Sequence, residues 1–255
     1  MRIASILLLT TFVASPALAL SDAEVDKVLA TLEERRTSGG DYKSLVFIEH
    51  KQRDKNDIVT ESVIYRRDTD DRLMILNLKP KAEAGKGYLM IDKNLFLYDP
   101  TVGKWERRTQ RERINGTSMR QSDFDDPKYR EKFTAKFIGD EKLGRFAVWH
   151  IQLTAREGAD VAFPIVHMWI DRTTTNVLKS QDRALSGKLM RTSYTPRWDK
   201  MYSESKGGDV YVPREFRVFD EIEKGNRTIV LIRKTDLRPL QKNMFTKAWL
   251  ESRSR

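Results

Sequence analysis

The stretch Trp149-His150-Ile151-Gln152-Leu153-Thr154 alternates apolar and polar residues. Successive side chains of a strand point to opposite faces, so Trp149, Ile151 and Leu153 share one face and His150, Gln152 and Thr154 the other. Just downstream, Val166-His167-Met168-Trp169-Ile170 runs into the turn signal Asp171-Arg172-Thr173, and Asn176-Val177-Leu178-Lys179 resumes the β-rich texture. The same texture extends from Tyr42 to about Asp236. Candidate strands are 42–53, 57–67, 72–78, 87–92, 94–98, 104–109, 134–140, 146–156, 165–171, 176–184, 188–195, 210–219 and 227–235. Between them lie Asp54-Lys55-Asn56-Asp57, Asp92-Lys93-Asn94, Asp99-Pro100, Gly139-Asp140 and Gly225-Asn226, all turn formers. Short strands with tight turns predict an antiparallel meander rather than βαβ units. Residues 72–78 and 229–232 do not alternate, which predicts burial on both faces or an apolar face outside the core.

Helical signals flank and interrupt this meander. Ser21-Asp22-Ala23-Glu24 spells a capping box, in which the serine accepts from the N–H three residues on and the glutamate reaches back. Val25, Val28, Leu29 and Leu32 follow on one helical face. Arg35 and Arg36 suit the C-terminal dipole, and Gly39-Gly40 ends the helix. Asp123 to Phe133 has an N-cap candidate in Asp123 and a proline, Pro127, near its first turn, which predicts a central helix. Leu240 to Leu250 carries Leu240, Met244, Phe245, Ala248, Trp249 and Leu250 on a helical face and predicts a terminal helix lying on the sheet. So long an antiparallel sheet must curl or fold into layers. The expected class is mainly β (α+β).

The N-terminus reads as an address. Met1-Arg2 is a short positive region, Ile3 to Val13 is apolar, and Ala17-Leu18-Ala19 offers a small-x-small cleavage pattern, so residues 1–19 are expected to be a secretory signal cleaved after Ala19. The apolar stretch falls short of the roughly 20 residues that span a bilayer. The expected location is the periplasm, with residues 20–255 as one domain. The 255 residues contain no cysteine, which excludes disulfides, thiol nucleophiles and cysteine zinc sites.

No enzyme signature survives inspection. G-x-S-x-G, the phosphate-loop patterns and H-E-x-x-H are absent. Ser203-Glu204-Ser205-Lys206 spells S-x-x-K, but Gly207-Gly208 follow where that motif needs a helix. Asp68, Asp70 and Asp71 lack the glycine and distal glutamate of a calcium loop and read as a hairpin turn. His50, His150 and His167 have no short spacing that puts two on one metal, and the latter two read as satisfied sheet histidines. The expectation is no catalysis, no metal and no cofactor. The net charge is +10. The densest basic stretch, Lys104, Arg107, Arg108, Arg111 and Arg113, is either a solvated loop or a docking surface for anionic head groups or an acidic partner. It lacks the stacking pattern expected of a nucleic-acid site.

Several segments, in order, resemble the LolA-like outer membrane lipoprotein-sorting proteins of the LolA/LolB carrier superfamily. They are Gly87-Tyr88-Leu89-Met90-Ile91, Leu95-Phe96-Leu97-Tyr98-Asp99-Pro100, Lys104-Trp105-Glu106-Arg107-Arg108, Ser118-Met119-Arg120-Gln121-Ser122-Asp123-Phe124, His167-Met168-Trp169-Ile170-Asp171, and Phe245-Thr246 with Ala248-Trp249-Leu250. Gln121 stands where the family commonly has glycine, and Asp126-Pro127 replaces an acidic-Tyr continuation. The resemblance implies an incomplete, strongly curved antiparallel β-barrel with helices covering the concave side of a hydrophobic cavity. It also implies a carrier or chaperone that binds acyl chains of lipoproteins or lipids and moves them between inner and outer membrane. An inner-membrane transporter of ABC or RND type would be a partner. The competing expectation is a lipid or lipoprotein sensor or adaptor that docks on an inner-membrane exporter or signalling protein. Met74, Leu76, Leu89, Ile91, Trp149, Ile151, Leu153, Met168 and Ile170 are the expected cavity liners. Sequence leaves open, for each, whether it lines a cavity or fills a core.

Overall fold

The computed structural model describes residues 19–37, 40–109 and 112–254. The signal-like segment up to residue 18, Gly39 and Arg111 lie outside the described residues. Thirteen strands form one antiparallel sheet: β1 (Tyr42–Lys51), β2 (Ile58–Arg67), β3 (Arg72–Lys79), β4 (Gly87–Ile91), β5 (Asn94–Asp99), β6 (Lys104–Arg108), β7 (Phe133–Leu143), β8 (Phe146–Ala155), β9 (Ile165–Asp171), β10 (Val177–Arg183), β11 (Leu189–Ser203), β12 (Gly208–Asp220) and β13 (Arg227–Asp236). Each matches an expected strand. β11 runs on past Pro196, to Ser203, with register shifts between Tyr194 and Trp198 that absorb the proline.

The spatial order is β6-β5-β4-β3-β2-β1-β13-β12-β11-β10-β9-β8-β7. Two meanders, β1–β6 and β7–β13, are stitched together by the β1–β13 pair, so that the sheet is curved but not closed into a barrel. One consequence governs the rest. β6 and β7 are consecutive in sequence yet stand at opposite edges, so the connection, described from residue 112 to 132, must cross the whole sheet.

Register shows which face that crossing takes. His50, Thr228, Val218, Ser193, Ser180, Met168, Ile151 and Phe137 lie directly opposite one another across eight neighbouring strands. Directly paired residues point to the same side. Ile151 and Met168 pack with Val25, Val28, Leu29 and Leu32 of α1 (Asp22–Thr37). Two residues along the strand from His50, Ile48 packs with Ile114 and Met119 of the crossing segment. One face therefore carries both α1 and the crossing segment. The same short segment joins an apolar cluster built on β1–β5 and reaches β11 and β12, so this face is the concave one.

The capping box forms as spelled: the Ser21 N–H donates to Glu24 Oε2 at 2.8 Å, and the Glu24 N–H to Ser21 Oγ at 3.4 Å. The central helix is much shorter than expected. Only α2 (Tyr129–Lys132) is helical, after a 3₁₀ turn at Gln121–Asp123. The Asp123 carboxylate accepts from the Arg120 N–H and pairs with Arg191 instead of capping a helix. The terminal helix is likewise shortened to α3 (Lys247–Arg253), because the Thr246 hydroxyl accepts from the Trp249 N–H and caps the chain there.

α3 also lies on the other face. Leu250 and Phe245 pack with Val63, Tyr65, Met74 and Leu89, whose strand neighbours Ile64, Leu73, Ile75 and Met90 point inward. The concave side is thus covered by α1 and the crossing segment, and α3 covers the convex side. This explains the unbroken apolar run in β3: Leu73 and Ile75 face one layer, Met74 and Leu76 the other.

Candidate functional site

The inner face has three zones. At one end, Ile48, Ile64, Leu73, Ile75, Tyr88, Met90 and Val230 are buried beneath Ile114 and Met119. At the other, Ile151, Leu153, Met168 and Ile170 are buried beneath α1, with Trp149 partly buried beside them. Between these apolar halves the paired row turns polar: His50, Thr228, Ser193 and Ser180 interrupt it, with Val218 among them.

Two elements cover this face, and each is held at its margins by polar contacts. In α1, the Arg35 guanidinium donates to the Thr174 carbonyl at 2.6 Å and to Asn176 Oδ1 at 3.0 Å. The Glu33 carboxylate accepts from the Arg130 backbone at 2.8 Å and from its side chain at 2.7 Å. In the crossing segment, Arg113 pairs with Asp220 at 2.9 Å. Asp123 pairs with Arg191 at 2.8 Å, and Arg191 also binds Asp182 at 2.6 Å. The Arg120 and Arg191 guanidinium groups both lie over the Phe163 ring, at 5.3 and 4.9 Å from its centroid.

Burial works against Arg191's charge, but Asp123 and Asp182 outweigh it and raise its pKa further above the ordinary arginine range. Burial raises Asp182 above the usual carboxylate range despite Arg191. Burial and the Arg191 charge lower Arg120. His50, 1% exposed, is lowered by burial and then by the Arg113 charge. Sequence reading missed this polar waist, since its members come from four distant segments and share no local pattern.

The nine expected liners separate into two groups. Trp149, Ile151, Leu153, Met168 and Ile170 come together on the concave face under α1. Met74, Leu89 and Ile91 join the convex cluster under α3, and Leu76 shares the Met74 side of β3. Alternation in 146–156 assigned the first group a common face, whereas the unbroken runs at 72–78 and 87–91 carry no such information. Two clefts open on the described surface. One of about 370 Å³ is bounded by Thr192, Tyr194, Phe219 and the turn 220–227, and one of about 460 Å³ lies between α1 and residues 126–131. Neither is lined by any of the nine.

The basic stretch is dispersed in the same way. Lys104 and Arg107 are exposed on the edge strand β6, with Arg107 bonded to Asn94. Arg108 pairs with Glu112 at 3.1 Å, and Arg113 is drawn onto the inner face by Asp220. Two histidines that sequence spacing kept apart meet on the convex face. His150 Nε2 lies 2.8 Å from His167 Nδ1, and His150 Nδ1 lies 2.6 Å from Glu141 Oε1. Trp169 stacks on His150 and donates to the same carboxylate at 2.7 Å. Among the described residues, no group of three or more His, Cys, Asp or Glu is arranged to hold a metal ion.

A family model described as an uncharacterized protein matches residues 69–252, more than half of the chain. A domain described as an outer membrane lipoprotein-sorting protein, from Vibrio parahaemolyticus, superposes with a TM-score of 0.75 at 14% identity, covering 88% of this chain and 97% of its own. The chain belongs to the family of that model, and its fold is LolA-like. A LolA superfamily protein from Nitrosomonas europaea gives 0.69 at 18% identity over 88% of this chain and 98% of its own. A DUF1329 family protein from Desulfovibrio piger gives 0.75 at 15% identity over 88% and 96%. No curated protein matches the chain. No described helix of this LolA-like chain is long and apolar enough to cross a membrane.

Proposed function

We propose that this LolA-like protein is an exported carrier that shelters acyl chains of lipoproteins or lipids on the concave face of its sheet and conveys them between inner and outer membrane. One observation supports this reading above the others. The two apolar halves of the concave face are covered by α1 and by the 113–124 segment, peripheral elements rather than a second sheet. An exposed acyl chain costs about 0.8 kcal/mol per CH₂, so a sixteen-carbon tail gains on the order of 12 kcal/mol when it is taken out of water. Displacing α1 uncovers Ile151, Leu153, Met168 and Ile170 together, a surface that an acyl chain replaces in kind. Binding therefore exchanges one apolar cover for another, and release reverses it. The exposed cations Lys104 and Arg107, with Arg108, provide contact with an anionic membrane surface or an acidic transporter. The Vibrio parahaemolyticus relative, whose name refers to lipoprotein sorting, agrees with this role.

Native mass spectrometry of protein isolated from its own host tests it. Co-purified acyl species support the carrier. A mass equal to the polypeptide alone, with a stable membrane-protein complex in its place, favours the sensor or adaptor.

A further inference from the structure

The polar waist of the concave face holds side chains whose hydrogen-bonding capacity is left unused. The His50 ring is bound on one side only: Nδ1 lies 2.9 Å from Thr228 Oγ1, and Nε2 is buried without a partner. The Ser118 N–H donates to the same threonine oxygen at 2.9 Å, which sets Ser118 directly above the Thr228 position of the sheet. Its own hydroxyl is buried without a partner as well. Further along the same paired row, Ser193 Oγ is a third such atom. His50 is 1% exposed, Ser118 6% and Ser193 4%. Burying a polar group without a partner is unfavourable, and native interiors keep few of them. Three on one strip of one face, between two apolar halves, point to a group supplied from outside the chain.

The chemistry of the strip selects that group. Serine hydroxyls donate readily. Thr228 Oγ1 can donate to Nδ1, and in that tautomer a neutral His50 carries its proton on Nε2 and donates there. The nearby charges balance at this level, with Arg113, Arg120 and Arg191 facing Asp123, Asp182 and Asp220. Donors in a dry setting fit an acceptor oxygen. Apolar zones on both sides fit an acceptor that is attached to hydrocarbon.

Resting on the carrier reading, we infer that the waist is a carbonyl-recognition site. The acyl carbonyl of the cargo accepts from His50 Nε2 and Ser118 Oγ while its chain lies along the apolar half beneath α1. The shared ligand chemistry is the acyl carbonyl itself, whether of a free fatty acid, a lipid ester or the amide of an acylated protein. The protein thereby distinguishes an acyl group from plain hydrocarbon.

The test is calorimetric titration of the purified protein with palmitate, methyl palmitate, N-methylpalmitamide and hexadecane. The three carbonyl ligands are expected to bind at least tenfold more tightly than hexadecane, and their ranking reports whether acid, ester or amide is the natural source. Ser118→Ala and His50→Leu are expected to weaken the carbonyl ligands several-fold each and leave hexadecane unchanged. Thermal melting controls for folding, and Ser118→Ala removes only a hydroxyl if His50→Leu is unstable. Equal affinity for hexadecane and methyl palmitate, or an unchanged affinity in a folded Ser118→Ala variant, overturns the inference and leaves the carrier intact. Failure of all four ligands to bind overturns the carrier reading and the inference with it.

Discussion

Leu29→Ala is the most informative perturbation, because it asks whether α1 is a cover or a part of the core. Leu29 is 3% exposed and packs with Val25, Val28 and Leu32 against Ile151, Leu153, Met168 and Ile170. Burial of four such side chains contributes roughly 6–12 kcal/mol at about 1.5–3 kcal/mol each, an upper estimate before the ordering of the helix is subtracted. Truncating one of them in a packed site costs about 2–5 kcal/mol. A central loss of about 3 kcal/mol changes the docked-to-undocked ratio by roughly two orders of magnitude, at 1.4 kcal/mol per decade. An undocked helix of sixteen residues is marginal by itself and exchanges its amide hydrogens freely. Native-state hydrogen exchange should therefore show the amides of Val28–Leu32 exchanging about 100-fold faster in the variant. Those of Ile151 and Met168, held by β7–β9 ladders, should not change. If sheet and helix amides accelerate by the same factor, α1 opens only when the whole domain unfolds, and the lid argument fails.

Three further outcomes are expected. Arg191→Met leaves Asp123 and Asp182 facing each other without their cation, and should destabilise the fold by about 3–5 kcal/mol at neutral pH. Part of this loss should return near pH 5, since burial already raises the Asp182 pKa, and urea midpoints at the two pH values will show it. Folding lowers the pKa of both His50 and His167, so the unfolded chain takes up the proton first as pH falls. Stability should hold above about pH 6.5 and decline as pH drops below that unfolded value until the folded histidines also titrate; a His50→Gln variant with an unchanged slope would contradict this. Gly87→Ala places a methyl group 2.8 Å from Leu250 Cδ1 and 2.9 Å from the Ile75 carbonyl, so α3 must shift on the convex face. Thermal melting should register about 1–3 kcal/mol of destabilisation.

Most of the fold was legible because β-strand periodicity and turn chemistry are local. Trp149, Ile151 and Leu153 declared a shared face by alternation alone, and they share it under α1. Ser21 and Glu24 declared a helix start, and the two side chains meet there. Where alternation fails, in Leu73 to Leu76, sequence signals burial without saying which layer does the burying. Met74 and Leu76 were thus grouped with residues that turn out to lie through the sheet from them. The helix expected at Asp123 failed for a non-local reason: the Asp123 carboxylate is claimed by Arg191, sixty-eight residues away in sequence.

The amino-acid sequence by itself determined thirteen strands, the capped amphipathic helix and the lack of cysteine chemistry, since each follows from neighbours a few residues apart. Only the tertiary structure decided that β6 and β7 stand at opposite edges, which forces residues 112–132 across the concave face. It alone brought His50, Ser118, Ser193 and Thr228 to one strip, and set His150 against His167 on the other side. Strand pairing order carries this information, and it depends on which distant edges find the same apolar partner once the chain has folded.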